Sequence, residues 1–154
     1  MLFLGEKDYQ QTVVIRRMIA DLNMGVKVML GATVREADGL AMSSRNVYLA
    51  RPERDAAATL YRALSAGRRL VESGEVRAHA VLSEVRSLLT EVPLIEVEYV
   101  AAVDPETLEE VSLLAGPMRL AAAVRLGATR LIDNVSCVPG PARPAAGAGG
   151  GRRS

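Results

Sequence analysis

Asp8–Leu30 reads DYQQTVVIRRMIADLNMGVKVML, and its two halves follow different rhythms. In the first half, Val13, Val14, Arg17, Met18, Asp21 and Leu22 mix apolar and charged groups at the three-to-four spacing of a helix, which runs from Asp8 to about Asn23. NMG then closes it, with Gly25 as the stop. The second half, VKVML (Val26–Leu30), is short, β-rich and bounded by Gly31. Because Met29 and Leu30 are adjacent, the apolar residues do not alternate, as expected of a strand covered on both faces in a parallel sheet. A helix followed by such a strand is half of an α/β unit. The strand that should pair with VKVML is not evident, which would leave backbone donors and an apolar face uncovered.

Downstream the pattern changes. Gly31–Asn46, GATVREADGLAMSSRN, is polar and rich in small residues and reads as a long loop. RPERDAAATLYRALSAGRRLVESG is a helix with Pro52 in its first turn, Gly74 at its end, and a stripe of Ala56, Leu60, Leu64, Gly67 and Leu70 or Val71. A second helix, about 77–91, buries Val81, Val85, Leu88 and Leu89 and stops before Pro93. IEVEYVAAV alternates at Ile95, Val97, Tyr99, Ala101 and Val103, with Glu96 and Glu98 facing water, and reads as a half-exposed strand. DPETLEEV gives a turn, and RLAAAVRLG and RLIDNVSC are two further strands joined by GAT. PGPARPAAGAGGGRRS, from Pro139, has no possible core and reads as a disordered tail.

The expected fold is therefore α/β in two pieces. Residues 1–33 are the end of a parallel layer. Residues 34–138 form a small α+β unit of two helices and a short antiparallel sheet, with the polar loop at its start, and 139–154 are the tail.

Composition removes several classes of function. The 154 residues carry 19 basic and 18 acidic groups, a net charge of +1, so no overall field attracts nucleic acid or an anionic membrane. A single cysteine, Cys137, allows no internal disulfide and no cysteine metal cluster, which fits a reducing, cytoplasmic setting. MLFLGEKD is too short and uncharged at its start for a signal peptide, and no stretch approaches the roughly 18 apolar residues of a membrane span.

Two clusters can carry chemistry. In GEKD, Gly5 permits a close backbone approach, and Glu6, Lys7 and Asp8 lie where a helix begins, a place attractive to phosphate. Lys7, one of only two lysines, offers a point charge, Asp8 can accept from a ribose, and Gln11 shares their helical face. On residue types alone, a solvated, capped helix start has the greater weight. In ADGLAMSSRN, two serines and an arginine after an Asp-Gly turn suit a triphosphate or a pyrophosphate leaving group. Ordinary capping and surface roles explain them equally well. Glu109 and Glu110 diverge as neighbours and read as a solvated turn, and Asp133-Asn134 as turn residues at the end of the last strand. Cys137, at the edge of the tail, reads as inert.

Together, GEKDYQQ and READGLAMSSRN, separated by a helix, a strand and TV, resemble the pantothenate synthetase (pantoate–β-alanine ligase) family of nucleotidyl-transferring enzymes with HIGH/KMSKS signatures. The resemblance runs from Phe3 to Asn134. It implies a Rossmann-like nucleotidyltransferase domain ending near residue 33 and a C-terminal lid. It also implies synthesis of pantothenate from pantoate, β-alanine and ATP with magnesium, through a pantoyl-adenylate. Gly5, Glu6, Lys7 and Asp8 match the nucleotide loop, Lys7 on phosphates and Asp8 near the ribose, and Gln11 matches a pantoate ligand. Val34 matches a backbone contact to adenine, and Met42, Ser43, Ser44 and Arg45 stand in for the KMSKS-type loop. Lys7, Ser43, Ser44 and Arg45 would then stabilise charge in the reaction.

The family is usually homodimeric, and its H-x-G-H signature has no counterpart here. The one histidine, His79, sits inside a lid helix and reads as structural or exposed. The resemblance thus places Met1 inside the family's Rossmann domain and implies negligible ligase activity for this chain alone. A non-catalytic remnant or interaction module retaining part of a nucleotide-binding surface is the alternative.

Overall fold

A computed structural model describes residues 1–141. The part of the expected tail from 142 onward lies outside the described residues.

The chain opens with β1 (Leu2–Gly5), passes through a three-residue 3-10 turn (Glu6–Asp8) into α1 (Tyr9–Asp21), and returns as β2 (Val28–Gly31). β1 and β2 pair in parallel, from Leu2 opposite Val28 to Gly5 opposite Gly31, so α1 is the crossover of a β-α-β unit. VKVML therefore does have a parallel neighbour, and the expectation of an unpaired strand is corrected. Its partner is LFLG, which is too short to show a period in sequence. Among the described residues β2 is covered on one face only: Val28 and Leu30 are half-buried, whereas Met29 is exposed, as is Phe3 beside it on β1.

α1 ends differently from the expectation. Asn23, at φ +49°, is the left-handed residue after the helix, not Gly25. The Asn23 N–H donates to the Ala20 carbonyl at 3.1 Å and the Met24 N–H to the Ile19 carbonyl at 2.9 Å. That pair of bonds is a Schellman stop, and a short Asn side chain tolerates its backbone geometry.

α2 (Arg51–Glu72) and α3 (Ala78–Thr90) pack together against one face of an antiparallel sheet, β3 (Glu96–Val103), β4 (Met118–Leu126) and β5 (Thr129–Cys137), in the order β3-β4-β5. The Glu53 carboxylate reaches back to accept from the Ala50 N–H at 2.8 Å, closing the start of α2. The expected helical stripes are the core: Leu60, Leu64 and Val71 of α2 meet Val81, Val85 and Leu89 of α3, and Leu120, Ala122 and Val124 of β4 lie beneath them. Gly67 marks the closest approach, because a Cβ there would fall 2.5 Å from Val85 and 2.9 Å from Leu120. β4 and β5 turn through Gly127-Ala128, with Gly127 at φ +55°.

The alternation expected along IEVEYVAAV breaks. A bulge between Val97 and Tyr99 inserts one residue and flips the side-chain phase. Ile95 is buried, but beyond the bulge Val100 and Ala102 face the core, and Tyr99, Ala101 and Val103 turn to the opposite face. The bulge thus supplies one wall of the cavity described next. No helix among the described residues is long and apolar enough to cross a membrane.

Candidate functional site

Ligands of open α/β sheets bind beyond the carboxyl ends of the strands. Here β1 delivers Glu6, Lys7 and Asp8 at that end, and α1 begins immediately after. Lys7, Asp8 and Gln11 line one cavity of about 460 Å³, walled opposite by Tyr99, Ala101 and Val103. The Asp8 carboxylate makes no cap bond to the helix it precedes, unlike the plainer reading of GEKD, and stays exposed. Among the described residues, the Lys7 ammonium has no ion-pair partner. Glu6 is engaged otherwise, accepting from the Arg119 guanidinium at 3.3 Å. Gly5 is extended at φ −86°, and a Cβ on it would meet nothing within 4 Å, so neither the backbone nor the packing among the described residues requires a glycine there.

The second cluster starts from a small hairpin. The Met42 N–H donates to the Val34 carbonyl at 2.9 Å, Arg35 bridges Ala41, and Glu36–Gly39 turn the chain with Gly39 at φ +92°. Asp38 accepts from the Leu40 N–H at 3.2 Å and from Arg54 at 2.6 Å, and the Arg54 guanidinium holds its carboxyl below the usual range. Val34 and Met42 are thereby side by side, and both are exposed. The Ser43 hydroxyl accepts from the Arg45 N–H at 3.2 Å, capping a 3-10 turn (Ser44–Tyr48), so the capping reading holds for Ser43. Ser44 is exposed. Arg45 reaches the Arg130 carbonyl at 3.4 Å, and Arg130 in turn donates to Glu98 of β3 at 2.6 Å. None of Val34, Met42, Ser43, Ser44 or Arg45 lines the cavity that holds Lys7.

What joins the two clusters is a pair of residues read from sequence as turn residues. Asp133 and Asn134 lie in mid-strand, not at the end of β5, and both are buried. The Asn134 carboxamide nitrogen donates to the Glu6 and Lys7 carbonyls, each at 3.0 Å. Its oxygen accepts from Arg119 at 2.7 Å. Arg119 also lies 3.7 Å over the ring of Tyr9, whose hydroxyl donates to the Pro105 carbonyl at 2.8 Å. Asp133 holds Arg35 at two points, 2.6 and 3.0 Å, and Arg35 stacks 3.9 Å over Tyr61. The signal available in sequence was an Asp-Asn pair inside an otherwise apolar strand, since buried polar groups require partners. Apart from Arg119, the partners, Glu6, Lys7 and Arg35, lie 98 to 128 positions away and no local pattern names them.

The remaining candidates behave simply. His79, Glu109 and Glu110 are exposed. Cys137 closes β5, just before the expected tail, and is buried there, and burial pushes its thiol up to about 11. An unreactive thiol is the physical consequence.

Fold and site define an α/β chain whose strand-end turn and loop hairpin are both pinned to an antiparallel sheet. The chain belongs to the pantoate-beta-alanine ligase family, whose profile matches residues 1–136. It is 47% identical over 130 residues to a pantothenate synthetase of Desulfatibacillum aliphaticivorans, covering 84% of this chain and 46% of that one. It is 50% identical over 133 residues to a bifunctional pantoate ligase/cytidylate kinase of Gloeobacter violaceus, covering 86% of this chain and 26% of the relative. A crystal structure of pantothenate synthetase from Thermus thermophilus superposes with a TM-score of 0.85 at 44% identity, over 89% of this chain and 49% of that one. A pantoate-beta-alanine ligase of Francisella tularensis, solved with beta-gamma ATP and β-alanine, gives 0.58 at 26% identity, over 87% and 42%. The chain spans about half the length of most of these relatives. The family is one of ligases, and the mixed α/β fold with its small antiparallel sheet agrees with the expected class.

Proposed function

We propose that these residues form one half of the active site of an AMP-forming pantoate–β-alanine ligase, the half that handles the nucleotide phosphates. The observation that carries the proposal is the shared cavity of Lys7, Asp8 and Gln11 at the strand end, in a chain of this family. In this reading a pantoate carboxylate oxygen attacks the α-phosphorus of ATP and pyrophosphate leaves. The β-alanine amine then attacks the acyl carbon of the pantoyl-adenylate and AMP leaves. Lys7 carries a positive charge to the phosphates, Asp8 and Gly5 meet the nucleoside side, and Gln11 binds pantoate. The Val34 backbone meets adenine. Met42–Arg45 close over the triphosphate, with Ser44 and Arg45 donating to it as pyrophosphate departs.

Residues 1–33 are the nucleotide-presenting piece and residues 34–138 the lid. In this reading magnesium accompanies ATP as part of the nucleotide substrate. The charge stabilisation these residues offer comes from Lys7, Ser43, Ser44 and Arg45, and the only histidine, His79, is exposed on α3. Turnover by the 154 residues alone is therefore expected to be negligible.

The test is AMP formation from ATP, pantoate and β-alanine. The chain is assayed alone and mixed with the half of the Thermus thermophilus relative that it does not match. Restored turnover in the mixture, lost in Lys7→Ala, supports the proposal. A folded chain that neither binds MgATP nor complements would sink it.

A further inference from the structure

We propose that the Asp133–Asn134 step of β5 is a two-sided positioning element that sets the GEKD turn and the Val34–Arg45 segment in fixed relation to one another. The two segments share no cavity, yet both are gripped by adjacent residues of one strand. Asn134 holds the backbone of the turn through the Glu6 and Lys7 carbonyls, and Asp133 holds the hairpin through Arg35, whose guanidinium also donates to the Gly39 carbonyl at 3.1 Å.

The two grips are linked at one atom. Asp133 Oδ1 accepts from Arg35 at 3.0 Å and from the Asn134 N–H at 2.8 Å, so a shift of either clamp disturbs the other. Each clamp also takes hold beside the candidate ligand contacts and not on them. Asn134 bonds the Lys7 carbonyl, so the ammonium is left for a ligand, and Asp133 bonds Arg35, so Val34 and Met42 remain exposed. A residue recruited only to fill the core would not be an amide and a carboxylate in the middle of an apolar strand. A functional constellation needs this kind of support, since side chains on loops drift unless a rigid element fixes them.

The mechanical part stands on geometry alone, and its consequence for the ligand rests on the nucleotide reading above. Two measurements on the 154-residue chain separate them: amide hydrogen exchange by segment, and MgATP titration. Asn134→Ala and Asn134→Asp both remove the two donated bonds, the latter with size preserved. Arg35→Lys breaks the two-point pair from its less buried side.

In the Asn134 variants, exchange is expected to rise about tenfold or more from Glu6 to Val13, and less at the Glu36, Gly39 and Met42 amides of the hairpin. In Arg35→Lys the hairpin amides lead. In all three the β4–β5 ladder keeps its protection, and MgATP affinity falls about tenfold through a smaller competent fraction. Exchange that rises evenly across β3, β4 and β5, or does not change, would overturn the proposal. So would local loosening with wild-type MgATP affinity. Local loosening in a chain whose unaltered form binds no MgATP keeps the clamp and removes the nucleotide reading instead.

Discussion

Arg35 and Asp133, 98 positions apart, meet in a two-point ion pair at 2.6 and 3.0 Å, with the Asp133 side chain only 2% exposed. A buried carboxylate left without its cation, or the reverse, costs far more than an exposed pair is worth. Asp133→Ala is therefore expected to lower unfolding free energy by about 3–5 kcal/mol. By contrast, Asp21→Ala, which breaks the exposed Arg17–Asp21 pair, should stay within about 0.5 kcal/mol. Urea denaturation of the two variants gives the comparison, and equal effects would show that the Arg35 pair is not buried as described.

Gly67 sets helix propensity against packing. Alanine in mid-helix gains about 1 kcal/mol of propensity. Its methyl would press on Val85 and Leu120, both fully buried, and overpacking of that kind costs about 1–3 kcal/mol. Net destabilisation of Gly67→Ala in thermal unfolding is expected. A stabilised variant would mean that α2 and α3 are further apart than this.

At the end of α1, Asn23 bears the left-handed conformation. Asn23→Gly should be neutral or stabilising, whereas Asn23→Ala should lose about 1 kcal/mol, because a Cβ is disfavoured at positive φ. If Gly25 were the stop instead, Gly25→Ala would show the larger loss.

Cys137 is expected to make stability fall at alkaline pH. Burial raises its folded value to about 11, from an ordinary 9.0. The unfolded thiol loses its proton first, so the contribution is full below about pH 9 and is lost as pH rises through about 11. Cys137→Ala should flatten the stability profile over that window relative to the unaltered chain. At about pH 8 the native thiol should resist alkylation until the protein unfolds, which a timed thiol-labelling assay in urea reads directly.

Lys7→Ala tests the cavity. Since the ammonium has no ion-pair partner among the described residues, thermal stability should hold. If it meets nucleotide phosphates, MgATP affinity should drop roughly tenfold to a hundredfold. A large loss of stability with unchanged affinity would assign Lys7 to the fold.

Elements with a long period were legible in the sequence. α2 and α3 span several turns each, and their stripes through Leu60, Leu64, Val81 and Val85 became the core. β1 was not, because four residues carry too little pattern, and it becomes a strand only when VKVML lies beside it. β3 was legible as a strand but not in its facing, since a single bulge after Val97 reverses every later side chain. The GEKD turn and the MSSR loop were found as candidate segments because their residue types and spacing are local properties.

The sequence by itself determined the class of the fold, its helical core and its family, all of which rest on periodicity and contiguous motifs. Only the tertiary structure decided how the two candidate segments relate. That relation runs through Asn134 to Lys7 and through Asp133 to Arg35, bonds that span about a hundred residues. Such bonds form because a buried amide and a buried carboxylate must find partners wherever the folded chain brings them, and no local spacing encodes where that is.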